Sequence, residues 1–198
     1  MKNTSFILTR YLYPKDEVEL SLVCALLKKV DIAECYFWAF ELYYSGMDIF
    51  ELVWTIYFDF YAELTPKLER YIRKKQMEYI NYIEKDATMA VFAIAAIIRN
   101  LHNSTPTDTV FMLRQYIQSG AGVNTIIKGR HLKWVYQYDI HFRQWLLSIE
   151  KGFFENIAHF TNLIVNKWSS DIAFQTLMNY FSQKIGIIPD KNKLDEYW

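Results

Sequence analysis

Cysteine, proline and glycine are all scarce in these 198 residues, with two, four and six copies. Two cysteines cannot build a disulfide framework, so Cys24 and Cys35 read as buried, reduced thiols of an intracellular protein. So few prolines and glycines disfavour many-turned β architectures and low-complexity linkers. An excess of either charge is missing too: 22 Lys and Arg face 22 Asp and Glu. That removes the basic surplus usual in a dedicated nucleic-acid binder. The longest unbroken apolar run, residues 89–98 (MAVFAIAAII), is ten residues long, whereas a bilayer span needs about 20. It reads as a buried core helix. The N-terminal MKNTSFILTRYLYPKDE has too short an apolar run for a secretory signal. Neither a signal peptide nor a membrane segment is expected.

Signatures of helical enzymes are absent as well. A di-iron bundle needs Glu-x-x-His pairs from two helices. Glu155 and His159 are one residue too far apart and occur once, on a polar stripe with Asn162 and Asn166. His102 and His141 have no Ser or Cys nucleophile pattern beside them. The turn Ser119-Gly120-Ala121-Gly122 lacks the Gly-Lys-Ser/Thr ending of a phosphate-binding loop. No catalytic residue, metal site or cofactor is assigned, and a non-enzymatic protein is expected.

What the chain has is aromatics, at 18% of residues. Twelve of them fall in residues 31–61, DIAECYFWAFELYYSGMDIFELVWTIYFDFY. Asp31 with Glu34, Asp48 with Glu51 and Asp16 with Glu19 each spell a D-x-x-E helix start, in which the aspartate caps free backbone N–H groups. Gly46 supplies a stop between two of them. Further starts at Thr65-Pro66, Asp86 and Ser169-Ser170-Asp171, and stops near His102, Gly120 and Gly152, complete an all-α chain. About nine helices are expected: 16–29, 31–46, 48–61, 65–84, 86–102, one ending at 119, 132–151, 153–168 and 169–186. Short links make them consecutive antiparallel hairpins, in a compact irregular bundle or a short helical-repeat-like stack. The expectation is a single domain, 1–198. Lobes 1–118 and 131–186 would meet at a glycine-containing loop, with a tail over 187–198.

Helical periodicity sorts the aromatic block by face. In the helix at 48–61 only Asp48, Glu51, Thr55 and Asp59 form a polar stripe, so this helix should be packed on two sides at the centre of its lobe. In the helix at 31–46, Glu34, Trp38, Glu41 and Ser45 share the face opposite the core. A tryptophan between two carboxylates on a polar face is a candidate interface anchor. Trp38, Glu34 and Glu41 are therefore the expected partner-binding residues. Two basic segments supply an alternative. Lys67, Arg70 and Lys74 share a helix face. Lys128, Arg130 and Lys133 gather at a loop-to-helix junction, followed by Trp134, Tyr136 and Tyr138, aromatics able to stack on bases.

The run TRYLYPKDEVELSLVCALLKKVDIAECYFWAFELYYSG, followed by FELVWTIYFDFYAELTPKLE, resembles helical proteins of nucleocytoplasmic large DNA viruses (giant viruses). The resemblance covers about residues 9–70. It implies expression in the infected host cell, in the cytoplasm or the virion, and carries no catalytic residue. The expected function is a protein–protein interaction or scaffold module, with a protein partner or self-association. The alternative is an accessory nucleic-acid-binding protein of viral replication or transcription.

Overall fold

Aspartate caps fix four of the nine helix starts among the described residues. The computed structural model describes residues 7–120 and 125–185. Among these residues it shows nine α-helices and no strand. They are α1 (Lys15–Lys28), α2 (Ile32–Tyr44), α3 (Ile49–Phe60), α4 (Leu68–Tyr82), α5 (Ala87–Asn103), α6 (Thr109–Ser119), α7 (Ile140–Lys151), α8 (Phe154–Val165) and α9 (Ser170–Ile185). Asp31 accepts from the Ala33 amide, Asp48 from Phe50, and Asp86 from Thr88 and Met89. Asp16 does not cap. Its helix starts one residue earlier, behind Pro14, and Asp16 contributes charge to the first turn instead. The stop at Gly46 forms as its sequence implies, with φ +74°. The Gly46 amide reaches the Tyr43 carbonyl and the Met47 amide reaches Leu42, a Schellman ending.

The chain divides into two units, Met1–Val110 and Phe111–Trp198. Part of the expected junction loop, residues 121–124, and the tail at 187–198 lie outside the described residues.

In the first unit, α5 packs against α4, α2 and α1. Its inward residues Ala90, Ala93, Ile94, Ile97, Ile98 and Leu101 repeat at helical spacing and are buried. The ten-residue apolar run is not buried throughout, because Met89 and Phe92 face outward. Most of α3 is buried, including Ile49, Phe50, Val53, Ile56, Tyr57 and Phe60. Asp59, expected on a polar stripe, is buried too. Aromatic contacts join α3 to α4. The Phe50 and Tyr79 ring centroids are 4.9 Å apart, and the Trp54 Nε1 donates to Gln76 Oε1 at 3.0 Å. Lys29, at φ +53°, ends α1 and donates its ammonium to the carbonyls of Leu101, His102 and Ser104 at the close of α5. His102 Nε2 in turn sits 2.7 Å from the Val30 carbonyl.

The second unit has its own core of Val135, Phe142, Trp145, Leu146, Phe160, Ile164 and Tyr180. The expected helix at 132–151 is two elements, a short 3-10 turn (Lys133–Gln137) and α7. The break occurs because Asp139 caps α7 by accepting from the Phe142 amide. Gln144 and Ser148, which share the helix face of the exposed His141, are buried rather than solvated. Both ends of the Gln144 amide are used: Oε1 accepts from the Ile127 N–H at 2.6 Å, and Nε2 donates to the Ile127 carbonyl at 3.2 Å.

Candidate functional site

Residues 8–14 form a tight loop laid over the outer face of α2. An isolated bridge pairs Leu8 with Pro14, and the Thr9 amide donates to the Tyr13 carbonyl at 2.8 Å. The tip turns at Leu12, whose φ of +66° is the left-handed region that L side chains rarely adopt. Leu12 is 74% exposed. An apolar side chain in an unfavourable backbone state, almost fully in water, is retained only when its base is firmly held.

That base is Glu41. Its side chain is fully buried, and it accepts from Arg10 Nε at 3.0 Å and from the Tyr11 amide at 3.0 Å. Burial pushes the Glu41 carboxyl up. Hydrogen bonds from Thr9, Tyr11 and Arg10, with the Arg10 charge, more than reverse this and hold it below the ordinary carboxylate range. Arg10 also fastens the loop through its own amide, which donates to Ser45 Oγ at 2.9 Å.

Glu41 is therefore not a partner-facing residue. Periodicity correctly groups Glu34, Trp38, Glu41 and Ser45 on one stripe, but the N-terminal loop covers its C-terminal half. Glu34 stays exposed, and the Trp38 Nε1 donates to it across 3.4 Å, a long bond. Trp38 is half-buried. Tyr13 meets it edge-to-face at 5.7 Å and Phe37 at 4.8 Å.

Together these contacts make a continuous strip. The Arg10 guanidinium lies between two rings, 4.7 Å from Tyr11 and 4.6 Å from Tyr44. From Tyr44 the strip runs through Arg10, Tyr11, Leu12 and Tyr13 to Trp38 and Phe37. Tyr11, Tyr13, Phe37 and Tyr44 are all exposed. Helical periodicity could not find the loop residues, since they precede the first helix. The signal available was the apolar Tyr-Leu-Tyr placed directly before Pro14.

The two basic segments belong to different units. Lys67, Arg70 and Lys74 are exposed around α4, while Arg73 pairs with Glu69 and Lys75 with Glu78. Lys128, Arg130 and Lys133 are exposed in the second unit. The helix N-terminus expected beside them is the start of a five-residue 3-10 turn, too short for a substantial dipole. Of the aromatics that follow, Tyr136 is exposed, whereas Trp134 and Tyr138 pack on the core.

Two hollows stand out among the described residues. One, about 350 Å³, is lined by Tyr43, Met47, Asp48, Phe50, Gln76 and Tyr79 among others. A second, about 390 Å³, lies in the second unit against Phe153, Phe154 and Asn156. Among the described residues, no group of three or more His, Cys, Asp or Glu gathers to hold a metal. No helix there is long and apolar enough to cross a membrane. Cys35 is buried, with its thiol pushed up by that burial and by Glu34, while Cys24 is half-buried. Compared with known proteins, the chain matches no family model, no curated protein and no solved structure.

Proposed function

We propose that this chain is a protein-interaction module whose working surface is the strip from Tyr44 through Leu12 to Trp38 and Phe37. The observation that carries this reading is Leu12, held outward by a loop whose base is a buried carboxylate. A protein with no use for that leucine gains nothing by keeping it in water and in left-handed backbone. The strip also has the composition of interface centres, with tyrosines, a tryptophan and an arginine. The viral setting rests on the sequence resemblance over residues 9–70, which includes the whole strip.

Sedimentation of the purified chain, and affinity isolation from cells expressing it, test this reading. Each is run on wild type and on Leu12→Asn/Trp38→Ser. Asparagine tolerates the left-handed backbone, so the loop should keep its shape. The expected result is a protein, or a second copy of the chain, bound to wild type and lost from the variant, with helicity unchanged. Equal recovery by both proteins, or recovery of nucleic acid alone, overturns it.

The alternative of nucleic-acid contact draws on Lys67, Arg70 and Lys74, which make no ion pair among the described residues. Phosphate contacts weaken steeply with salt. Lack of DNA and RNA binding even at low salt would end this alternative.

A further inference from the structure

The hollow between the α2–α3 turn and α4 has a composition that the interaction strip does not use. Its floor is Phe50, a buried core residue, and its walls include the half-buried rings of Tyr43 and Tyr79. Tyr79 stands 4.9 Å from Phe50 and 6.1 Å from Tyr43, nearly perpendicular to the latter. Met47, Ile80 and Ile83 supply apolar edges. Among the lining residues Asp48 carries the only full charge.

One Asp48 oxygen accepts from the Phe50 amide at 2.9 Å, which leaves its second oxygen for another donor. Burial, then Tyr43, then the Asp48 charge push the Tyr79 hydroxyl up, so the carboxylate is within electrostatic reach of that ring. Gln76 has its oxygen occupied by Trp54, and its amide N–H groups are donors without charge.

Aromatic faces and a carboxylate both attract positive charge, the faces through their quadrupole. An unmodified ammonium is poorly served here. It is compact and strongly hydrated, and the apolar walls offer too few acceptors to replace its water. Methylation keeps the charge and exchanges hydrated N–H groups for apolar surface. A choline headgroup shares that chemistry but brings a phosphate, which would meet no cation in this lining and would be repelled by Asp48. A lysine stem brings four methylenes, which suit Met47, Ile80 and Ile83.

We propose that this hollow binds a methylated lysine side chain of a partner protein, with the methylammonium against the half-buried rings of Tyr43 and Tyr79 above Phe50 and its charge balanced by Asp48. The hollow shares no lining residue with the strip, although Tyr43 touches Tyr44 at the strip's end with ring centroids 4.9 Å apart, and its binding does not depend on Leu12 or Trp38.

Fluorescence-polarisation titration of the full chain tests the assignment. The probes are a labelled Gly/Ser peptide carrying one trimethyllysine, its unmethylated form, and its uncharged tert-butyl isostere. Free phosphocholine is a competitor. The trimethyllysine peptide should bind at least about fivefold tighter than either control. Tyr79→Leu, which keeps apolar bulk but removes the π face, should abolish the difference. Asp48→Asn keeps the helix cap and should reduce it. Equal binding of the isostere shows a merely greasy hollow, and no methyl-dependent binding at millimolar peptide shows no site. Displacement by phosphocholine, with affinity above that of the peptide, shows a headgroup site. Each of these three outcomes overturns the proposal. Loss of strip-dependent binding in Leu12→Asn/Trp38→Ser leaves it untouched.

Discussion

Arg10 and Glu41 are thirty-one residues apart and form a one-sided ion pair, 3.0 Å long, in which the carboxylate is fully buried and the guanidinium is not. The asymmetry decides which substitution harms more. Arg10→Ala strands a buried charge, which should cost about 2–3 kcal/mol by chemical denaturation, below the loss for a fully buried pair because water reaches the Arg10 side. Glu41→Gln leaves a neutral amide that still accepts, so its cost should be smaller, about 1 kcal/mol. The opposite ranking would show that the loop does not depend on the carboxylate.

The same carboxylate sets an acid limit. Its folded pKa is depressed, so its contribution is fully present above the unfolded value near 4.5. That contribution is lost as pH falls through the lower folded value. Wild type should therefore lose stability below about pH 4.5 faster than Glu41→Gln does. Parallel acid profiles for the two proteins would refute this.

Lys29 combines two opposed effects. Its left-handed backbone costs about 1 kcal/mol, while its ammonium holds three carbonyls at the end of α5. Lys29→Ala keeps the strain and loses the bonds, whereas Lys29→Gly loses both. Thermal unfolding should rank wild type above Lys29→Gly, and that above Lys29→Ala by about 1 kcal/mol.

In the second unit, the Gln144 side chain serves both backbone polar groups of Ile127, accepting from its N–H and donating to its carbonyl. Gln144→Ala should cost about 2–3 kcal/mol by leaving a buried donor and acceptor unmet. Gln144→Glu places an ionised oxygen against the Ile127 carbonyl, which raises its folded pKa. Its deficit should therefore shrink as pH falls and the protonated acid becomes a donor. A pH-independent deficit would show that Ile127 is not the partner that matters.

His131 should give the second unit a separate acid sensitivity. Burial lowers its pKa, Arg143 and Lys184 add to this, and Glu150 opposes it. Its buried Nδ1 has no hydrogen-bond partner among the described residues. A lowered folded pKa means stability is intact above about pH 6.5 and declines as pH falls toward the folded value. His131→Gln should flatten that slope in denaturant titrations between about pH 6.5 and 5.

The helices were legible in the sequence because their determinants are local. Asp31, Asp48 and Asp86 each cap an amide two or three residues on, and Gly46 ends α2 within its own turn. Asp139 carries the same signal and splits the region at 132–151, yet the surrounding apolar pattern hides it. Burial of Glu41, Asp59 and Gln144 was illegible for a different reason. Periodicity assigns faces within one helix, and what lies over each face is set by a segment elsewhere. For Glu41 that segment is residues 8–14. The cluster of Tyr43, Phe50 and Tyr79 likewise joins three helices, so only its aromatic richness was visible in advance.

The mutual grip of residues 29–30 and 101–104 has a kinetic corollary. Lys29 and Leu101 are 72 residues apart, whereas α4 and α5 are joined by a link of four residues, 83–86. Closing the longer separation costs more chain entropy before any contact repays it. The α4–α5 hairpin, like the α1–α2 pair with its three-residue link 29–31, should thus close before the two pairs meet. The grip of Lys29 and His102 then forms late, when the α1–α2 pair meets the end of α5.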